Sequence, residues 1–186
     1  EPALCEPGFF CPQGSSTMLS CPAGKLGNMT SLTAAEDCID CPRGHFCTGG
    51  GAAGEPCGTT AFICPDRGMV APQQVRPGFM SLPQDGPADQ RTSERPCMDG
   101  HWCSAGLAIA CSKGFYIDPL RPLTERTDQS SCIKCPDHST TQGLGAASLG
   151  DCFCEEDYTQ MDNKTCTLCP IPGTNCSSAG LKITSP

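Results

Sequence analysis

Cysteine spacing constrains this chain more than any other feature. Cys5, Cys11 and Cys21 are separated by five and then nine residues. Cys41, Cys47 and Cys57 repeat that spacing, and Cys97, Cys103 and Cys111 repeat it with the second gap cut to seven. The chain carries 18 cysteines in 186 residues. An even count at this density, in recurring register, marks a disulfide framework that substitutes for a large apolar core. The expected fold class is therefore small and disulfide-rich: an elongated tandem array of short β-hairpin and loop modules with little regular secondary structure.

Composition points the same way. Aromatic residues make up 5%, whereas glycine and proline contribute 21 and 18 residues, and no segment keeps a helical apolar period. Such a chain buries little apolar area per residue, so ordering it depends on restricting the unfolded state. Disulfides do that at roughly 2–4 kcal/mol each. They do not persist at this density in a reducing cytosol, which places the chain in the secretory pathway or outside the cell. The formal charge of −8 has no offsetting basic cluster and argues against nucleic acid and anionic lipid as partners. Apolar runs are only a few residues long, so no membrane contact is expected within this segment. Glu1 opens directly into the cysteine pattern, as expected of a processed chain or a section of a longer precursor.

Two repeat units interleave. The first reads Cys-x-x-Gly, an aromatic or His, an aromatic, then Cys: Cys5 to Cys11 with Gly8-Phe9-Phe10, Cys41 to Cys47 with Gly44-His45-Phe46, and Cys97 to Cys103 with Gly100-His101-Trp102. Glycine at a fixed offset predicts a turn with positive φ, and the rings after it pack over the disulfides. His45 and His101 occupy the slot of Phe9 and are read as packing positions. The second unit runs from Cys21-Pro22-Ala23-Gly24 to Asp37-Cys38, and again from Cys135-Pro136 to Asp151-Cys152. Cys111 to Cys132 is a longer copy. Repetition at this scale implies a quasi-linear stack in which each module touches mainly its neighbours.

The expected organisation is repeat 1 over 1–40, repeat 2 over 41–64, repeat 3 over 97–134, a half repeat over 135–153 and an EGF-like, cysteine-rich end with tail over 154–186. Residues 65–96 hold no cysteine and six prolines. They are read as a linker or as a decayed module, because Arg76-Pro77-Gly78-Phe79 echoes Glu6-Pro7-Gly8-Phe9. Extended, proline-stiffened chain is expected there.

The Cys-Pro-x-Gly opening at Cys21 and the Asp-Cys-x-x-Cys closing at Cys38 and Cys41 resemble the ephrin-receptor-like cysteine-rich repeats of the growth-factor-receptor cysteine-rich superfamily. Cys111 to Cys135 and Cys135 to Cys152 agree more loosely, with Ser112 in place of the usual Pro and His138 in place of the usual Gly. Cys152-Phe-Cys154 with Tyr158 and Cys166 resembles the second half of an EGF-like module. The resemblance implies protein spacers and adhesion surfaces. By analogy with such modules it implies crossed pairs, Cys5-Cys21, Cys11-Cys38, Cys41-Cys57, Cys47-Cys64, Cys97-Cys111 and Cys103-Cys132. The pairs Cys135-Cys152, Cys154-Cys166 and Cys169-Cys176 complete the set.

Other chemistry finds little support. Zinc needs four converging ligands and a redox dithiol needs a βαβ setting, so no metal and no cofactor is expected. His45, His101 and His138 accompany no catalytic motif, so the chain is read as non-enzymatic. The acidic run Glu155-Glu156-Asp157 reads as a solvated turn. Three sequons, Asn28-Met-Thr30, Asn163-Lys-Thr165 and Asn175-Cys-Ser177, are candidate N-glycan attachment sites. The functional expectation is a structural or interaction module of a secreted or cell-surface glycoprotein, either an ectodomain spacer or the protomer of an extracellular filament. Its partners would be proteins, including further copies of itself, and N-linked glycans. The alternative is a ligand-binding segment of a receptor ectodomain.

Overall fold

A computed structural model describes residues 5–160 and 165–169. Chain contacts divide it into two compact units, one of Glu1–Pro96 with Ala105–Leu107, the other of Cys97–Ser104 with Ala108–Pro186. Both are built from a single device, a two-stranded antiparallel hairpin, and the described residues contain no α-helix. The fold is disulfide-rich with little regular secondary structure.

In the first unit β1 (Phe9–Phe10) pairs with β2 (Leu19–Ser20), β3 (Lys25–Leu26) with β4 (Ile39–Asp40), and β5 (His45–Phe46) with β6 (Glu55–Pro56). The series continues with β7 (Phe62–Ile63) on β8 (Gln73–Gln74) and β9 (Phe79–Leu82) on β10 (Ser93–Pro96). Next comes the hairpin of β11 (His101–Ser104) and β12 (Leu107–Ala110). In the second unit β13 (Phe115–Tyr116) pairs with β14 (Ile133–Lys134), β15 (Ser139–Thr141) with β16 (Cys152–Cys154), and β17 (Tyr158–Gln160) with β18 (Cys166–Leu168).

Each hairpin starts from the same turn. The amide of the first strand residue donates to the carbonyl three residues earlier, as in Phe9 to Glu6 (3.1 Å), Lys25 to Pro22 (3.0 Å), His101 to Met98 (3.1 Å) and Tyr158 to Glu155 (3.1 Å). The third turn residue has positive φ in all but one hairpin, the signature of a type II turn. Glycine occupies that position in most copies, because it bears positive φ without strain. His138 (φ 60°) and Asp157 (φ 70°) hold it in the last two. Gly44 has a second reason to be glycine, since a Cβ there would lie 1.6 Å from the carbonyl oxygen of Asp89.

Modules are joined by backbone. In seven modules the residue six places after the opening residue (seven after Cys57) donates its N–H to a loop carbonyl of the next module. In the first unit these bonds run from Cys11 to Leu32 (2.8 Å), Gly27 to Gly51 (3.1 Å), Cys47 to Met69 (2.9 Å), Cys64 to Arg91 (2.9 Å) and Ser81 to Gly106 (2.9 Å). In the second unit they run from Cys103 to Arg126 (2.8 Å) and Ile117 to Ala146 (3.1 Å). A return bond closes several steps, from Ser31 to the Cys5 carbonyl, Gly50 to Cys21, Gly68 to Cys41 and Gly145 to Cys111. Each module thus satisfies backbone groups its neighbour cannot satisfy alone.

The cysteine-free stretch departs from the expected extended chain. Residues 65–96 contain β8 and the four-residue ladder of β9 with β10, entered through the turn Arg76-Pro77-Gly78-Phe79. Val75 stands where other modules have the opening cysteine, and Ser81, six residues on, stands where they have its partner. Both are buried, Ser81 completely, and its Oγ donates to the Gly106 carbonyl at 3.4 Å. Packing and backbone bonding therefore keep the hairpin without its staple. Arg76 lies 4.0 Å over the Phe79 ring and pairs with Glu94, fixing the turn to β10.

This register generates a test. The double variant Val75→Cys/Ser81→Cys should close a disulfide spontaneously and raise unfolding free energy by roughly 2 kcal/mol. The readouts are thiol titration and the urea midpoint under non-reducing conditions, and two free thiols in the folded variant would refute the register.

Candidate functional site

The cysteines are the residues with most chemical capacity, and all described ones are spent in disulfides. Their pairing corrects the crossed scheme. Cys5 bonds Cys11, Cys41 bonds Cys47, Cys57 bonds Cys64 and Cys97 bonds Cys103, at sequence separations of 6, 6, 7 and 6. Cys21 bonds Cys38 and Cys111 bonds Cys132. The expected links Cys5-Cys21, Cys11-Cys38, Cys41-Cys57, Cys47-Cys64, Cys97-Cys111 and Cys103-Cys132 are therefore absent. The reason is the turn: it brings residues i and i+6 to Cα separations of 5.8–5.9 Å, within the usual disulfide range. A module holds one disulfide, and the third cysteine of each triplet opens the next hairpin. Cys135 bonds Cys152 and Cys154 bonds Cys166. Cys169 is disulfide-bonded, and its expected partner Cys176 lies outside the described residues.

Two module types follow. Where the i+6 residue is cysteine, the disulfide closes the turn. Where it is Gly27, Ile117 or Thr141, the opening cysteine instead bonds the residue at the start of the returning strand, Cys38, Cys132 or Cys152. The Cys-x-x-Cys pairs Cys38/Cys41 and Cys132/Cys135 thus join different modules and form no dithiol. Among the described residues no group of three or more His, Cys, Asp or Glu is arranged to hold a metal ion.

The Asp-Cys closing has a structural cause. The Asp37 carboxylate accepts from the amides of Thr33 and Ala34, both at 2.9 Å, and from the Thr33 hydroxyl at 3.0 Å. Those bonds, the Thr33 amide foremost, hold its carboxyl below the usual carboxylate range. Asp151 binds the amides of Ala147 and Ser148 in the same way, at 2.9 Å each. Each aspartate ties off the loop just before the cysteine that anchors it.

Two arginines that sequence reading passed over perform the equivalent task in longer loops. Arg126 is buried; its Nε donates to the Arg121 carbonyl at 3.0 Å and its Nη2 to Pro119 at 2.8 Å, while Nη1 faces Asp99 at 3.8 Å. Arg91 donates from Nη1 to Gly58 at 2.6 Å and from Nη2 to Gly86 at 3.0 Å. The backbone carbonyls of Arg126 and Arg91 accept the amides of Cys103 and Cys64 from the preceding module. The Arg126 guanidinium gathers its own loop, and that of Arg91 ties its loop at Gly86 to Gly58 of the preceding hairpin. A lone Arg in a loop gives no sequence signal for this.

The histidines take structural places. His45 and His101 are half-buried first-strand residues, with Nδ1 3.4 Å from the Arg43 carbonyl and 2.8 Å from that of Asp99. His138 holds a turn and stacks on Tyr158 with ring centroids 4.0 Å apart. The acidic run Glu155-Glu156-Asp157 is an exposed turn of the last hairpin. Asn28, Met29 and Thr30 are all exposed on a bend after β3. Asn163 and Asn175 lie outside the described residues. Beside Asn28 is a groove of about 420 Å³ lined by Leu26, Ile39, Pro42, His45 and Arg67 among others.

Comparison with known proteins fits this geometry. Residues 100–152 match the family described as tyrosine-protein kinase ephrin type A/B receptor-like. The matched segment is less than a third of the chain. It runs from the turn glycine Gly100 to Cys152, and so takes in the hairpins built on β11, β13 and β15. A mouse protein, "Sushi, von Willebrand factor type A, EGF and pentraxin domain-containing protein 1", is 38% identical over 63 residues. That match covers 34% of this chain and 2% of the mouse protein.

Two outcomes are expected. Peptide mapping of the non-reduced protein should recover Cys21 linked to Cys38 and Cys5 linked to Cys11, and a Cys5-Cys21 peptide would refute the one-disulfide module. Arg126→Ala should cost roughly 1.5–3 kcal/mol in urea unfolding, because it removes a buried charged donor from the loop carbonyls it holds together. An unchanged midpoint would show that water replaces the guanidinium.

Proposed function

We propose that this chain is a non-enzymatic structural and interaction module of a secreted or cell-surface glycoprotein, working as an ectodomain spacer or as the protomer of an extracellular filament. The carrying observation is the repeated step by which one hairpin donates its i+6 amide to the loop of the next. A step made of backbone bonds can be repeated with almost any side chains, which suits a scaffold of adjustable length. Local disulfides staple every described hairpin but β9–β10 separately, so the scaffold needs an oxidising compartment, which supports an extracellular setting. The names of the matched family and of the mouse protein support the same setting. Among the described residues no helix is long and apolar enough to cross a membrane. Asn28, exposed in its sequon, is the N-glycan site of this reading, with Asn163 and Asn175 as further acceptors.

The second reading, a ligand-binding segment of a receptor ectodomain, is favoured by the receptor-like description of the family matched at residues 100–152. Sedimentation of the secreted, glycosylated protein across a hundredfold concentration range separates the two. The filament reading expects ordered association into rods visible by electron microscopy, and a strict monomer at every concentration would overturn it. Antibody labelling should reach the protein on intact cells or in the medium. Signal appearing only after permeabilisation would overturn the extracellular assignment itself.

A further inference from the structure

The groove beside Asn28 has an occupant that the chain itself would carry. Its walls come from three consecutive modules of the first unit: Leu26 and Ile39 from the β3–β4 hairpin, Pro42 and His45 from the next, and Arg67 from the loop before β8. At about 420 Å³ it lies within the ~300–1,000 Å³ span of small-ligand sites. Ile39 is 44% exposed on the returning strand, and the buried Leu26 is its partner on the neighbouring strand. Arg67 is exposed and makes no hydrogen bond or ion pair among the described residues. The result is an apolar floor with a free guanidinium at its rim.

Asn28 both lines this groove and opens the sequon, and its backbone is held on both sides. Gly27 donates to the Gly51 carbonyl at 3.1 Å and accepts from Gly8 at 2.7 Å, and Ser31 donates to Cys5 at 3.1 Å. The bonds at Gly27 and Ser31 fix where the sequon starts and ends beside the groove. We infer that the first N-acetylglucosamine of the Asn28 glycan seats in this groove, its apolar face on Ile39 and Pro42 and its N-acetyl carbonyl accepting from Arg67. This rests on the glycoprotein reading above. The chemistry is complementary: a pyranose presents a C–H face to apolar side chains and amide and hydroxyl groups to a donor. Seating it removes the Ile39 surface from water and couples three modules through one covalent attachment.

The test uses the full chain secreted from a eukaryotic host, with the glycan trimmed enzymatically to a single N-acetylglucosamine. Mass spectrometry reports occupancy of Asn28. Nuclear Overhauser contacts then report whether the N-acetyl and ring protons approach the Ile39 methyls and Pro42. The expected result is an occupied site with those contacts, and a melting temperature that stays the same on trimming but falls by a few degrees in Asn28→Gln. In Ile39→Ser the contacts should vanish while occupancy persists. An occupied Asn28 whose sugar gives no contacts and narrow, freely tumbling lines overturns the inference and leaves glycosylation standing. An unoccupied Asn28 overturns glycosylation at this site and the inference with it. Contacts to Ile39 from a second copy or another protein, with the sugar outside the groove, also overturn it.

Discussion

The stacking of this fold depends on one backbone amide, six or seven residues past the opening residue, that seven of the modules send to the next. The type II turn aims it out of its own hairpin, where it has no partner, and the loop of the following module supplies a carbonyl. An unpaired buried amide costs on the order of 1–3 kcal/mol, so a lone hairpin is incomplete. Stacking is how each one completes itself. The side chain at that position is free to vary between Cys11, Gly27, Ile117 and Ser81 because only its amide is needed.

Disulfides play a more limited part than their number suggests. They close loops of 6 to 21 residues and lie within modules, so they shorten the unfolded chain locally without tying one module to the next. A chain-entropy estimate puts such short loops at roughly 2–3 kcal/mol each. The β9–β10 hairpin shows the division of labour. Val75 and Ser81 replace the bonded pair there, yet the amide of Ser81 still reaches Gly106 and the turn at Gly78 is kept. What cannot be dispensed with is the turn and its outgoing amide. The staple can be exchanged for buried packing and a longer ladder.

Local features were legible because their signals are local. The Gly8, Gly44 and Gly100 turns, the Asp-Cys closings and the exposure of Asn28 all follow from a few adjacent residues whose backbone preferences are strong. The echo between residues 76–79 and 6–9 was readable for the same reason, although proline content there argued equally for extended chain. Pairing was not legible. Nothing in the spacing of Cys5, Cys11 and Cys21 marks which gap is bridged, and analogy with multi-disulfide modules assigned two bonds to a unit that holds one. Arg91 and Arg126 were invisible because their partners are backbone carbonyls, which every residue has.

By itself, the sequence determined the hairpin and its period, because glycine after a dipeptide fixes a turn with positive φ. The tertiary structure alone decided which cysteines bond and how modules connect. Both depend on where the chain goes after it reverses. The turn brings residues i and i+6 together and sends the next amide outward, and these are distances in space that spacing along the chain does not encode.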